Sequence, residues 1–192
     1  MTFIDRVFPN EIECHRVVLT ALGLDDSEEL FDLIASERDR LGRWLGWVSS
    51  CRSVEDVRER RRVNIAKRKE GTLFDFAISL PGAETTRRIV GACGAFGFSD
   101  DGLTCELGYW IGAAYEGRGL VTEAVSGLQD ACFQQGVEEV RISCVPGNER
   151  SAAIPRRLGY RRKKHSGTDL VFVLRAEGPL PGRALGAPEE TR

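Results

Sequence analysis

Apolar positions recur along this chain with two different periods, and the switches between them predict its elements. Val17, Val18 and Leu19 centre a strand over Glu13 to Leu22. Asp25, Asp26 and Ser27 then supply helix-capping side chains, and Leu30, Leu33, Ile34 and Leu41 follow at helical spacing. Ser53-Val54-Glu55-Asp56 sets a hydroxyl three residues ahead of a carboxylate, which predicts a capping box and a second helix to Lys69, stopped by Gly71. A period of two returns with Leu73, Phe74, Phe76, Ile78 and Leu80. Pro81-Gly82 turns that strand into the next, Ile89 to Phe98, and Asp100-Asp101-Gly102 forms a hairpin into a third apolar strand ending near Ile111. A helix from Gly119 to Gln135, a strand over Val140, Ile142 and Cys144, a short helix ended by Gly159 and a last strand from Leu170 to Leu174 complete the order β-α-α-β-β-β-α-β-α-β. From Gly178 the composition turns to Gly, Pro, Ala and charge. One α/β (α+β) domain over residues 1–177 and a disordered tail over 178–192 are therefore expected.

Composition narrows the function classes. A chain of 192 residues can bury one substantial core without disulfides or metals. Its 27 Lys plus Arg against 29 Asp plus Glu leave a formal charge of −2, which argues against a general nucleic-acid binder. Six cysteines lie far apart with no C-x-x-C pair, and His15 and His165 are the only histidines, so no metal site is expected. Asp5 and Arg6 stand near the start, where no apolar run is long enough for a signal peptide or a membrane span. A reduced, cytoplasmic protein is the expectation.

The most informative stretch is the junction after Ile111. There an apolar strand meets a turn holding Gly117 and Gly119, and the turn opens directly onto a helix. Glycines let successive N–H groups converge, and the unpaired first N–H groups of a helix favour an anion such as phosphate. Two nucleotide loops fail here: Thr122 occupies the third glycine position of G-x-G-x-x-G, and the chain has no G-x-x-x-x-G-K-[ST].

Residues 105–124 do resemble motif A of the GNAT N-acetyltransferases, in which [QR]-x-x-G-x-[GA] wraps the pyrophosphate of acetyl-CoA. The flanking E-L-G-Y-W-I-G and T-E-A-V are similar to ribosomal-protein N-terminal acetyltransferases of the RimJ/RimL type, as is the W-L-x-W pattern from Trp44 to Trp47. Residues 141–160 resemble motif B, a strand followed by N-x-x-S, a short helix and L-G-[FY]. Glu116 and Val121 depart from the loop pattern. A carboxylate at the first position is expected to repel the pyrophosphate, and Val121 is expected to crowd it.

The resemblance implies a GNAT fold, a mixed and mostly antiparallel sheet flanked by helices and splayed between its fourth and fifth strands. It implies acetyl-CoA as co-substrate, with Glu116, Gly117, Arg118, Gly119, Leu120, Val121 and Thr122 around the pyrophosphate. Asn148 would bind the pantetheine arm, and the backbone N–H of Ile111 or a neighbour would polarise the thioester carbonyl. Ser151 is implied as the group that protonates the leaving thiolate. Glu106 is the candidate base, with Asp169 or water as rivals. Tyr109 would edge the acyl group, while Trp44 and Trp47 would wall the acceptor site. The acceptor is a primary amine, best a protein N-terminus. A small amine, amino acid or antibiotic is the alternative, and a non-catalytic acyl-CoA-binding regulator the contrasting class. A homodimer is compatible with the resemblance. The basic run Arg58-Glu59-Arg60-Arg61-Arg62 with Lys67-Arg68-Lys69 reads as a solvated helix face, or as a site for an acidic partner or the adenosine 3′-phosphate.

Overall fold

A computed structural model describes residues 7–81, 88–163 and 167–177. The expected tail, His165 and part of the Pro81-Gly82 turn lie outside them. Eight strands form one sheet in the order β1-β2-β3-β4-β5-β6-β8-β7. Their spans are β1 Glu11–Glu13, β2 Val18–Ala21, β3 Leu73–Leu80, β4 Arg88–Phe96, β5 Thr104–Ile111, β6 Glu139–Cys144, β7 Arg161–Lys163 and β8 Leu170–Arg175. All neighbours are antiparallel except β5 and β6. The helices are α1 Ser27–Ser36, α2 Arg38–Gly42, α3 Val54–Lys69, α4 Leu120–Gln134 and α5 Glu149–Arg157.

Strand alternation builds a core on each face of the sheet. Phe74, Phe76 and Ile78 of β3 join Cys105 and Leu107 of β5 against Leu120, Ala124, Val125 and Leu128 of α4. The intervening positions, such as Ala77 and Ala92, meet Leu30 and Ile34 of α1 and Val57 of α3. The capping box forms as expected: Asp56 N donates to Ser53 Oγ at 3.2 Å, and Ser53 N donates to Asp56 Oδ2 at 2.9 Å.

Three elements differ from the expectation. The first strand is a hairpin of two, because Cys14 N donates to Val17 O and closes a turn over His15 and Arg16. The first helix breaks at Glu37, so α1 and α2 are separate. A further strand, β7, pairs with β8 through three exposed residues that carry no apolar alternation.

Candidate active site

β5 and β6 pair only at Thr104↔Glu139, Cys105↔Val140 and Glu106↔Arg141. Beyond Glu106 they part, and a cleft of about 1460 Å³ opens between them. That exceeds the roughly 300–1,000 Å³ common for one small ligand, so two reactants fit. Gly112 N donates to Val90 O on the β4 side at 2.8 Å. Strand alternation therefore turns the peptide groups of Tyr109 and Ile111 toward the parted edge.

The chain leaves β5 through a 3-10 turn at Ala113–Tyr115 and enters α4 through Glu116–Gly119. Gly117 and Gly119 adopt left-handed φ values of 72° and 77°, where a side chain is strained. No side chain caps α4 at Gly119, so the first N–H groups of a 15-residue helix are left for a ligand. The loop thus suits a diphosphate. Every expected site residue lines this one cleft except the rival base Asp169 and Arg118, which is exposed with its guanidinium 6.0 Å from the Tyr115 ring.

Two expectations about the loop are corrected. Glu116 does not present a bare carboxylate: Oε1 is paired with Arg40 Nη1 at 2.6 Å and Oε2 with Arg150 Nη1. Val121 is 9% exposed and belongs to the core beneath α4, so most of its bulk is absorbed by packing.

The arginine network around the loop left no periodic trace in the sequence. Arg40 donates from Nη2 to Ile111 O at 2.7 Å and from Nε to Glu37 Oε2 at 2.5 Å, while Glu37 Oε1 accepts from Ala113 N at 2.8 Å. The helix break at Glu37 is what places this pair under the loop. On the other side, Arg16 Nη1 donates to Arg118 O at 2.9 Å, and Arg16 Nε pairs with Glu123 Oε2 at 2.8 Å. The loop is fastened from three elements distant in sequence.

Deeper in the cleft, Ser151 Oγ stands between two partners, Cys144 Sγ at 3.3 Å and Tyr109 Oη at 3.4 Å. Tyr109 Oη donates to Ser151 O at 2.9 Å. Burial holds the Tyr109 phenol far above its usual range and raises the Cys144 thiol as well, so both stay protonated near neutral pH. Asn148 caps α5, its Oδ1 accepting from Ser151 N at 3.2 Å. Its amide nitrogen has no hydrogen-bond partner among the described residues. Glu106 has no ion-pair partner among the described residues, and its rival Asp169 is exposed ahead of β8. Trp47 lies 6.2 Å from Trp110, and Trp44 is 37% exposed at the rim, beside Gly147. Among the described residues no cluster of three or more His, Cys, Asp or Glu side chains could hold a metal, and no helix is long and apolar enough to cross a membrane.

A helix N-terminus built for an anion, opening into a gap between splayed strands, defines an acyl-CoA-type transferase cleft. Residues 16–161 match the acetyltransferase (GNAT) domain, and the chain belongs to that family. Among curated proteins it is 28% identical over 156 residues to YdaF of Bacillus subtilis (strain 168), named a candidate ribosomal N-acetyltransferase, covering 75% of this chain and 77% of that protein. It is 24% identical over 143 residues to the ribosomal-protein-serine acetyltransferase of Escherichia coli (strain K12), covering 74% and 77%. Among solved structures, RimL, a ribosomal L7/L12 α-N-protein acetyltransferase in complex with coenzyme A, superposes with a TM-score of 0.79 at 18% identity, over 86% of this chain and 97% of that one.

Proposed function

We propose that this protein transfers the acetyl group of acetyl-CoA to the α-amine of a protein N-terminus, with ribosomal proteins as the substrate class. The observation that carries the reading is the uncapped α4 N-terminus with its two left-handed glycines, set at the mouth of the β5–β6 gap. Relatives named for ribosomal-protein acetylation support it, as does a RimL structure holding coenzyme A.

The loop N–H groups from Gly117 to Thr122 would hold the pyrophosphate, and the Asn148 amide the pantetheine arm. Tyr109 and Ile111 N–H groups, aimed at the gap, would stabilise the oxyanion that forms as the amine attacks the thioester carbonyl. When the carbon–sulfur bond breaks, the thiolate takes the proton of Ser151 Oγ and water returns one to that oxygen in the same step, so Ser151 ends as a hydroxyl beside the protonated Tyr109. Glu106, or water, takes the proton that the amine loses. An N-terminal amine with a pKa near 7.7–8.0 asks little of that base. Residues 1–177 would form the working domain, in the cytoplasm where ribosomal N-termini are made.

The test follows thiol release from acetyl-CoA with a panel of peptides, their N-terminally blocked forms and small amines. Release only with free peptide N-termini supports the reading. Release with small amines alone would make this a small-molecule acetyltransferase, and CoA binding with no release on any acceptor would make it a regulator.

A further inference from the structure

α3 turns toward the sheet a stripe at helical spacing, and that stripe is cationic. Val57, Arg60, Arg61, Asn64, Lys67 and Arg68 occupy the positions where a core-facing helix carries apolar residues. The rest of the basic run is ordinary surface: Arg58 and Arg62 pair with Glu55 and Glu59. The sequence joins these two sets into one run, and helical phase separates them.

Arg60, Arg61, Asn64 and Lys67 line the same cleft as Glu106 and Ser151. Arg61 is 4% exposed; its Nη2 pairs with Asp75 Oδ2 at 2.6 Å, and its Nη1 has no hydrogen-bond partner among the described residues. Asn64 Nδ2 donates to the same Asp75 oxygen at 2.6 Å. Arg60 lies over the Trp47 ring at 4.7 Å, with no carboxylate paired to it among the described residues. Burial, with the Arg61 charge beside it, pulls the Arg60 guanidinium below its usual range. Among the described residues Asp75 forms an ion pair with Arg61 alone of the three cations, and a buried guanidinium nitrogen without a partner is costly unless a ligand satisfies it.

Sheet register measures how far this wall stands from the reaction. Asp75 pairs with Gly94, and Gly94 with Gly108, which lies between Glu106 and Trp110 on the same face. Two strand spacings separate Asp75 from the Glu106 row, roughly 10 Å. Gly94 between them and Gly108 on the Glu106 strand give that floor no side chains of its own; Asp75 Cβ borders it at Gly94, and the Phe96 ring leans over Gly108. An extended peptide advances about 3.3–3.6 Å per residue. A carboxylate on the second or third residue of an acceptor would span the distance, whereas the α-carboxylate of a free amino acid would fall short.

From this juxtaposition we infer that the acceptor is an acidic N-terminus: Arg60 and Arg61, with Lys67 at the rim, bind the carboxylate side chain of its second or third residue. The inference rests on the N-terminal acetylation proposed above and names the substrate class of that site.

The experiment compares peptides with Glu, Gln or Lys at the second or third position, reading kcat/KM with acetyl-CoA and, separately, peptide affinity for the CoA-bound protein by calorimetry. The expected preference for Glu over Gln is about 10- to 100-fold, carried in KM. Arg60→Gln should bring that ratio close to one, and so should Arg61→Gln made together with Asp75→Asn, so that no carboxylate is stranded. Arg62→Gln, on the solvent face, should keep it. Equal handling of Glu and Gln peptides by the wild-type protein would overturn the inference. So would an Arg60→Gln variant that keeps the peptide preference but no longer distinguishes CoA from dephospho-CoA, since the wall would then serve the adenosine 3′-phosphate. If no peptide is acetylated, the function proposed above falls, and the affinity ranking still decides this one.

Discussion

Ser151 is the residue on which the chemistry proposed for this cleft turns. Its hydroxyl has two sulfur or oxygen neighbours within 3.4 Å, and both are held protonated by burial. If it supplies the proton to the leaving thiolate, Ser151→Ala should lower kcat by roughly 10- to 1,000-fold with KM for acetyl-CoA nearly unchanged. Steady-state kinetics checks this; a rise in KM alone would reduce Ser151 to a positioning role beside the Asn148 cap. Tyr109 is too weak an acid to set the alkaline limb of the pH–rate profile. The acidic limb belongs to the base. Glu106→Gln should remove it, while proton loss to water predicts a limb that survives and follows the pKa of the acceptor amine. The place of Ser151 and Glu106 in the cleft was legible in the sequence because motif position marks it. Arg40 was not: its partners Ile111 and Glu116 lie 71 and 76 residues away, and ion pairs at such separations leave no periodicity.

Among the elements, the loop between β5 and α4 and the strand β6 carry the sharpest expectations. A side chain at Gly119 would be strained at φ 77° and would press on Arg16 Nη2, 3.3 Å from its Cβ. Gly119→Val should therefore abolish the rise in melting temperature that millimolar CoA gives the wild type, a mass-action effect of ligand on the folded state. Glu139, 6% exposed on β6, ties β6 to β8 through Arg175 Nε at 3.1 Å and also accepts from Arg141 Nε at 2.8 Å. Burial alone would raise its pKa, but these two hydrogen bonds prevail and hold it below the usual carboxylate range. The unfolded chain then binds more protons at low pH, so this stabilisation is full above the unfolded pKa of about 4.3 and is lost as pH falls through the lower native value. Glu139→Gln should melt earlier than the wild type at pH 7, and the two curves should converge on acidification. At this scale alternation and caps made the sequence readable, as the capping box at Ser53 and the hairpin at Gly102 show. The hairpin of β1 and β2 escaped because its turn, Cys14 to Arg16, has neither glycine nor proline; it is set by a backbone hydrogen bond and by Arg16 reaching Glu123 of α4.

For the whole molecule, the proposed function has the sheet split the two substrates between its faces. α4 and its phosphate-suited N-terminus stand on one side, the helices α1 and α3 with the cationic stripe on the other, and the β5–β6 gap joins them. A motif can announce the first half, because glycine turns are fixed locally. The acceptor half depends on which face of α3 meets the sheet, and a run of alternating Arg and Glu does not declare that. The central claim is that the acetyl group crosses this gap to an N-terminal amine. It is tested most directly by incubating the protein with acetyl-CoA and a peptide bearing both a free N-terminus and an internal lysine, then locating the acetyl group by fragmentation mass spectrometry. The account predicts a single acetyl group on the α-nitrogen. Acetyl on the lysine ε-nitrogen, or a peptide returned unmodified while small amines are acetylated, would contradict it.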